Sequence, residues 1–284
     1  MKGIVNMNLS DRLSVSYYKT IAPINESHKV YLVRHQETGR LFVKKILDIY
    51  SIEIYKELQQ HPVEGIPRII AACEEDGKLT VIEEFISGTT LRDKIESAEP
   101  PNDPLSVSLI GSYMIQLCDI LERLHSLDPP VIHRDIKPSN IMITGFDNIV
   151  LLDLNAARYY SGVPDQEADT KLLGTHGYAA PEQYGFMESR PQTDIFSVGR
   201  TLKDAVDALP YRDHTFDAVI ERCTQMDPSK RYASAGALKT AIKRSLGGGP
   251  DKLLRILLIT AISAVTLALL FIAVMVVGFF FVPH

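Results

Sequence analysis

Residues 131–143, VIHRDIKPSNIMI, place five side chains that proteins usually keep in water (His133, Arg134, Asp135, Lys137 and Asn140) between two apolar, β-branched ends. Apolar β-branched residues favour buried strands. The stretch therefore reads as a polar loop carried into a core, where each buried polar group must be bonded or used. Whatever the chain folds into has to provide for that loop.

The pattern upstream of it is strand-dominated. KVYLVRHQETGRLFVKKIL reads as two β-rich runs joined by a turn at Thr38-Gly39, and KLTVIEEFI as another strand after the turn at Asp76-Gly77. From Ser106 to Leu127 the apolar residues Ile110, Tyr113, Met114, Leu117, Ile120, Leu121 and Leu124 recur at three and four, which predicts a core helix behind a Pro- and Asp-rich entrance. DIFSVGRTLKDAVDAL, TFDAVIERCTQM and SAGALKTAIKRSL continue the helical pattern. A small β lobe followed by a larger helical lobe, meeting near Ser87-Gly88, makes a cleft at the junction. The polar loop follows the long helix, and IVLLDLNAAR returns after a turn at Gly145 to Asn148, so Asp135, Asn140 and Asp153 are expected on one side of two short strands. Two carboxylates and an amide oxygen suit a hard cation such as Mg²⁺.

Composition excludes some partners. The 284 residues carry a net charge of −5 with no polybasic run, which argues against nucleic acid. Three widely spaced cysteines, Cys73, Cys118 and Cys223, read as buried thiols in a reducing compartment. The segment Ile256 to Val282 has no charged residue. Its length corresponds to ~40 Å of helix, against ~30 Å of hydrocarbon in a bilayer. With Lys252 and Arg255 before it and no signal-peptide pattern at the N-terminus, the expectation is a single-pass anchor in the cytoplasmic membrane that leaves the preceding domain in the cytoplasm.

Motif order adds a family. HRDIKPSN resembles the catalytic loop H-R-D-x-x-x-x-N of protein kinases, and LLDLNAAR resembles their DFG region. GTHGYAAPEQYG is similar to the peptide-positioning loop with its A-P-E motif, TDIFSVG to the start of the central helix of the larger lobe, and DPSKRYAS supplies Arg231, which in this family pairs with the Glu of A-P-E, here Glu182. Over residues 17 to 245 the chain resembles a bacterial Ser/Thr protein kinase of eukaryotic type. The resemblance implies an α+β, two-lobed fold: N-lobe about 17–86, C-lobe about 88–246, a Gly-rich linker at 247–252 and a transmembrane helix at 253–282.

It also implies roles. Asp135 would accept the substrate hydroxyl proton, Lys137 would steady the γ-phosphate, and Thr175 would support both; Asn140 and Asp153 would hold Mg²⁺, with Mn²⁺ as a substitute. Lys45, six residues after Gly39, would grip the phosphates of ATP, with Lys44 on the opposite strand face. Glu53 is the favoured acidic partner for Lys45, with Glu57 one turn on as the alternative. Ile24, Val30 and Val43 would line the nucleotide site, and Glu84 would be the hinge acid. The gatekeeper is either Glu83, a carboxylate facing Lys45, or Ile82.

Three departures stand beside the match. PINESHKVYLV has no glycine where the family's phosphate lid is glycine-rich, which predicts a weaker grip on ATP. DFG has become Asp153-Leu154-Asn155, a mild change because Asn tolerates a left-handed backbone. The stretch between Asp194 and Arg231 is short for the usual complement of C-lobe helices. The function implied is transfer of the ATP γ-phosphoryl group to Ser or Thr hydroxyls of proteins; the alternative is a pseudokinase serving as a nucleotide-binding or scaffold module. Thr170 is the candidate regulatory phosphate site, facing Arg134. Ala261, Ala264 and Ala268 offer a small-residue face for a homodimer of anchors.

Overall fold

Two tight turns organise the first sheet. In the computed structural model, which describes residues 14–97, 105–160, 175–184 and 188–248 together with position 262, Gly39 adopts φ +69, and Asp76 and Gly77 adopt φ +51 and +72. Positive φ at two successive residues matches the right-handed twist of a hairpin. The strands they join are β2 (Val30–His35) with β3 (Leu41–Leu47), and β4 (Ile69–Glu75) with β5 (Lys78–Glu84). With β1 (Tyr18–Asn25) they form an antiparallel sheet in the order β1-β2-β3-β5-β4. The continuous apolar start of β4 lacked the alternation that marked its neighbours.

Strand alternation divides the sheet's residues between two faces. Val33, Phe42, Ala71 and Ile82 cluster on one face, with Tyr18 and Tyr31 packed beside them. Ile82 is thus committed to that core, and its neighbour Glu83 is turned to the other side. Helix α1 (Ile52–Gln60) follows β3 and buries Ile54, Tyr55 and Leu58, packing on β4.

Beyond the junction the chain is mainly helical. Strand β6 (Thr89–Thr90) leads into α2 (Leu91–Glu96), where Thr90 and Asp93 cap each other reciprocally. Helix α3 (Val107–His125) begins where the Ser106 hydroxyl accepts from Leu109 N–H at 3.2 Å. All seven apolar residues of its predicted stripe are buried. Short strands β7 (Val131–Ile132), β8 (Ile141–Ile143), β9 (Ile149–Leu151) and β10 (Arg158–Tyr159) follow, with β6-β8-β9 and β10-β7 forming two small sheets. Gly88 lies so close to β8 that a Cβ there would stand 2.2 Å from the carbonyl oxygen of Ile143. Only glycine fits at that crossing.

Helix α4 (Pro191–Asp207) packs on α3 and α5 (Asp217–Cys223), and α6 (Ala235–Lys243) buries Ala235, Leu238 and Ile242. A Cβ at Gly199 would meet Cys223 at 2.3 Å, so glycine permits the close α4–α5 approach. One short helix, α5, and a single 3₁₀ turn at Pro228–Lys230 occupy the shortened stretch before Arg231. All three cysteines are buried. Burial pushes the Cys223 thiol up to about 12, and raises Cys118 beside it well above the ordinary thiol value.

Arg231 and Glu182 lock the lobe's interior. Both side chains are fully buried, with Nη1 to Oε1 at 2.7 Å and Nη2 to Oε2 at 2.9 Å. Arg231 also donates to the carbonyls of Gln225, Gln192 and Met226, and Thr193 donates to Glu182 at 2.8 Å. The pair is thereby compensated for its loss of water.

The chain divides into two compact units, Met1–Ile242 and Lys243–His284. Of the second, the structure describes a π-type turn at Arg244–Gly248, with Gly247 at φ +86. Among the described residues no helix is long and apolar enough to cross a membrane. The expected span at 253–282 lies outside the described residues apart from Ile262, as do Thr170 and the rest of 161–174.

Replacing Arg231 with Met should leave Glu182 buried without its counter-charge and lower unfolding free energy by ~3–5 kcal/mol. Urea unfolding of the two proteins measures this, and an unchanged midpoint would show that the pair contributes nothing net.

Candidate active site

A buried carboxylate shapes the polar loop. Asp194, in the first turn of α4, accepts the backbone N–H of His133 at 2.9 Å and of Arg134 at 2.8 Å, and pairs with His125 Nε2 at 2.8 Å. Burial pushes the Asp194 carboxyl up, but these donors outweigh it and hold it below its ordinary value. The helix N-terminus also favours the anion. Arg134 takes a left-handed backbone, φ +70, and Gln183 Nε2 donates to its carbonyl at 2.8 Å. His133 is fully buried, and burial lowers its imidazole pKa against the pull of nearby carboxylates. The neutral ring donates from Nε2 to the Leu152 carbonyl at 3.1 Å.

The loop then delivers the site. Lys137 Nζ lies 2.7 Å from Asp135 Oδ2 and 2.7 Å from Thr175 Oγ1, while Thr175 donates to Asp135 Oδ1 at 2.8 Å. Asn140 Nδ2 donates to the Asp135 carbonyl at 2.8 Å and to its carboxylate at 3.0 Å. Burial opposes ionisation of Asp135, yet Lys137 and Thr175 prevail and keep its carboxyl below the usual range. The backbone of Asn140 accepts from Leu152 N–H at 2.7 Å, which ties this loop to the strand leading to Asp153. The structure thus brings Asp135, Lys137, Asn140 and Thr175 together.

Asp153 follows β9 with φ +68, so the left-handed residue of the Asp-Leu-Asn turn is Asp153 and not Asn155. Asn155 instead accepts from the Tyr55 hydroxyl at 3.1 Å. Asp153 Oδ1 is buried without a hydrogen bond among the described residues, 3.7 Å from Lys45 Nζ. That bare oxygen and the amide of Asn140, whose Nδ2 is turned to Asp135, fit a hard divalent cation. No cluster of three or more His, Cys, Asp or Glu suited to a metal occurs among the described residues, so such an ion would depend on the amide oxygen and on oxygens of its own ligand.

Lys45 corrects the expected pairing. Its Nζ lies 2.8 Å from Glu83 Oε1, with both side chains only 8% exposed. Facing two carboxylates, the ammonium overcomes the penalty of burial and is held above its ordinary value; burial pushes Glu83 up while Lys45 draws it back. Glu53 is exposed and accepts from Ser51 at 3.0 Å, and Glu57 pairs with His61. Helix α1 turns Tyr55, 1% exposed, to the interior instead. Val30 and Val43, partly buried, lie in register with Lys45 and Glu83 respectively. Ile24 is 53% exposed near the end of β1. Glu84 is exposed, and its N–H donates to Arg68 at 2.9 Å.

The lid is a short turn. Asn25 Oδ1 accepts from Ser27 Oγ at 2.8 Å and His28 N–H at 3.2 Å, and Lys29 closes the turn with φ +54. Side-chain bonding replaces glycine as the means of turning the chain.

Comparison with known proteins gives the family and the fold. The family described as "Protein kinase domain" matches residues 26–216, more than half of the sequence, and the chain belongs to that family. The solved structure of the Cydia pomonella granulovirus kinase PK-1 is 17% identical with a TM-score of 0.68, covering 80% of this chain and 94% of that one, and it shows the two-lobed fold. Among curated relatives, serine/threonine-protein kinase D of Synechocystis is 25% identical over 76% of this chain and 45% of its own length. Serine/threonine-protein kinase PknD of Chlamydia abortus is 25% identical over 67% of this chain and 25% of its own. The chain thus spans less than half the length of these relatives.

The parts played by Tyr55 and Asp194 were not read from the sequence. Tyr55 reads as one more apolar helix position, and the hydrogen bonds of Asp194 join residues about sixty apart. Because the folded Asp194 pKa lies below the unfolded value, its stabilisation is full above that value, near 3.9, and is lost as pH falls through the depressed one. Asp194→Asn should therefore cost roughly 1–3 kcal/mol at pH 7, with the difference shrinking below about pH 4. Urea midpoints at pH 7 and pH 3 test this; a constant difference would remove the carboxylate's role.

Proposed function

We propose that the chain is a serine/threonine protein kinase that transfers the γ-phosphoryl group of ATP to protein hydroxyls. The observation that carries the reading is the bonded set Asp135–Lys137–Thr175–Asn140, tied through the Asn140 carbonyl to the strand that leads to Asp153, itself 3.7 Å from Lys45. Asp135, whose carboxyl Lys137 and Thr175 keep below the usual range, would orient a hydroxyl and accept its proton. Lys137 is anchored by two oxygens and would lend its charge to the transferring phosphoryl group. Lys45 supplies the charge for the phosphates of bound ATP. A Mg²⁺ ion held by Asp153 and Asn140 would neutralise charge on phosphate oxygens. The names of the curated relatives support Ser/Thr as the acceptor.

Asp153→Asn should abolish phosphate transfer while leaving the fold intact, and Lys45→Ala should lose most activity where Lys44→Ala loses little. Incorporation of labelled phosphate with Mg²⁺ is the measurement. A wild-type chain that binds nucleotide without any transfer would instead support the pseudokinase reading, to which the glycine-free lid lends weight.

Residues 253–282 are proposed, from their sequence, to anchor the kinase at the cytoplasmic face of the membrane and to favour pairing of two copies. Two domains confined to one bilayer meet at a raised effective concentration. Full-length protein in liposomes should autophosphorylate faster than a chain ending at residue 246 at the same bulk concentration, and dilution among excess liposomes should slow it. Equal rates under all three conditions would reduce the segment to an address.

A further inference from the structure

In a two-lobed kinase the phosphate-gripping lysine is held by an acid, and the location of that acid decides which movements can break the site. Here the candidates on α1 are both engaged elsewhere. Glu53 is exposed and bonded to Ser51, and Glu57 is bonded to His61 at the far end of the helix. The inward position of α1 is held by Tyr55, whose hydroxyl reaches Asn155. Of the acids near Lys45 among the described residues, Glu83 on β5 is the nearer, 2.8 Å away against 3.7 Å for Asp153. Strands β3 and β5 are adjacent and antiparallel, with Val43 opposite Glu83 and Lys45 opposite Val81. Lysine and acid are therefore diagonal neighbours on one face of a single hydrogen-bonded sheet, close enough for long side chains to meet.

Resting on the kinase reading above, we propose that Glu83 is the positioning residue for Lys45 in nucleotide binding, replacing an acid on helix α1, so that assembly of the lysine site does not depend on where that helix sits. Three observations support this. The ladder between β3 and β5 fixes the backbone of both partners. Both side chains are buried, so neither exchanges its partner for water. Asp153 lies 3.7 Å from the same ammonium, so Lys45 is held between two carboxylates, the nearer of them Glu83 on the adjacent strand. Burial raises the cost of leaving either charge alone, which favours one conformation of the lysine before nucleotide arrives.

The test uses the full chain in detergent, with labelled ATP and myelin basic protein as acceptor, and a fluorescent ATP analogue with Mg²⁺ to read binding separately. Glu83→Gln keeps the shape and removes the charge. It should lower kcat/KM for ATP by roughly 10²-fold, the loss typical of a misplaced catalytic group, and should weaken nucleotide binding. In a Lys45→Met background Glu83→Gln should cause no further loss of nucleotide affinity, a result that a merely structural role for Glu83 would not produce. Glu53→Gln and Glu57→Gln, changes at the surface, should stay within about twofold of wild type on both readouts. Glu83→Gln behaving as wild type, an equal loss in the Lys45→Met background, or a large loss in Glu53→Gln or Glu57→Gln would each overturn the proposal. If Glu83→Gln does not fold, the two surface variants still decide between helix and strand. Wild-type protein that binds nucleotide but transfers nothing would refute the kinase reading alone, and the binding arm would still judge Glu83.

Discussion

Asp194 accepts two successive backbone N–H groups, those of His133 and Arg134, from a position where no water competes for it. Those two bonds fix the loop's path just before Asp135, and they stabilise the left-handed turn at Arg134 that a free chain would avoid. From that turn onward the site follows by short steps. Asp135 is placed by the turn, Lys137 and Thr175 are placed on Asp135, and Asn140 reaches back to it. The carboxylate belongs to α4, and α4 is itself set by its packing against α3 and α5 and by the Glu182–Arg231 pair, to which Thr193 and Gln192 of the same helix are bonded. The reacting groups are thus referred to the most deeply buried helix of the lobe rather than to the loop that carries them.

What was legible in the sequence was chiefly what is local. The stripe from Ile110 to Leu124 specifies a buried face by its spacing alone, and the Gly39 and Asp76-Gly77 turns announce themselves because positive φ demands particular residues. The polar run from His133 to Asn140 stands out because its composition conflicts with its flanks. The partner of Lys45 was a different kind of question. Glu83 and Glu84 are adjacent, and a slip of one residue exchanges the faces they occupy. The outcome is set by Ile82, which the cluster of Val33, Phe42 and Ala71 claims, and that competition exists only once the strands are paired. Glu53 and Glu57 were plausible because a helix after β3 offers acids, but the face α1 turns inward is chosen by Ile54, Tyr55 and Leu58. The lid shows a further limit: the missing glycines were visible, whereas the Asn25 side chain that takes over the turning was not.

The burial of the cysteines gives the molecule a chemical timekeeper. A thiol reacts with alkylating reagents as thiolate, and Cys118 and Cys223, shielded between α3 and α5, are kept both covered and protonated. Cys73 is covered separately, on β4 of the first sheet. Modification of any of the three must wait for its own surroundings to open, so the pace of labelling at each cysteine counts openings of the region around it. With no residue introduced for the purpose, one thiol records how often the β lobe breathes and the other two record the same for the helical lobe.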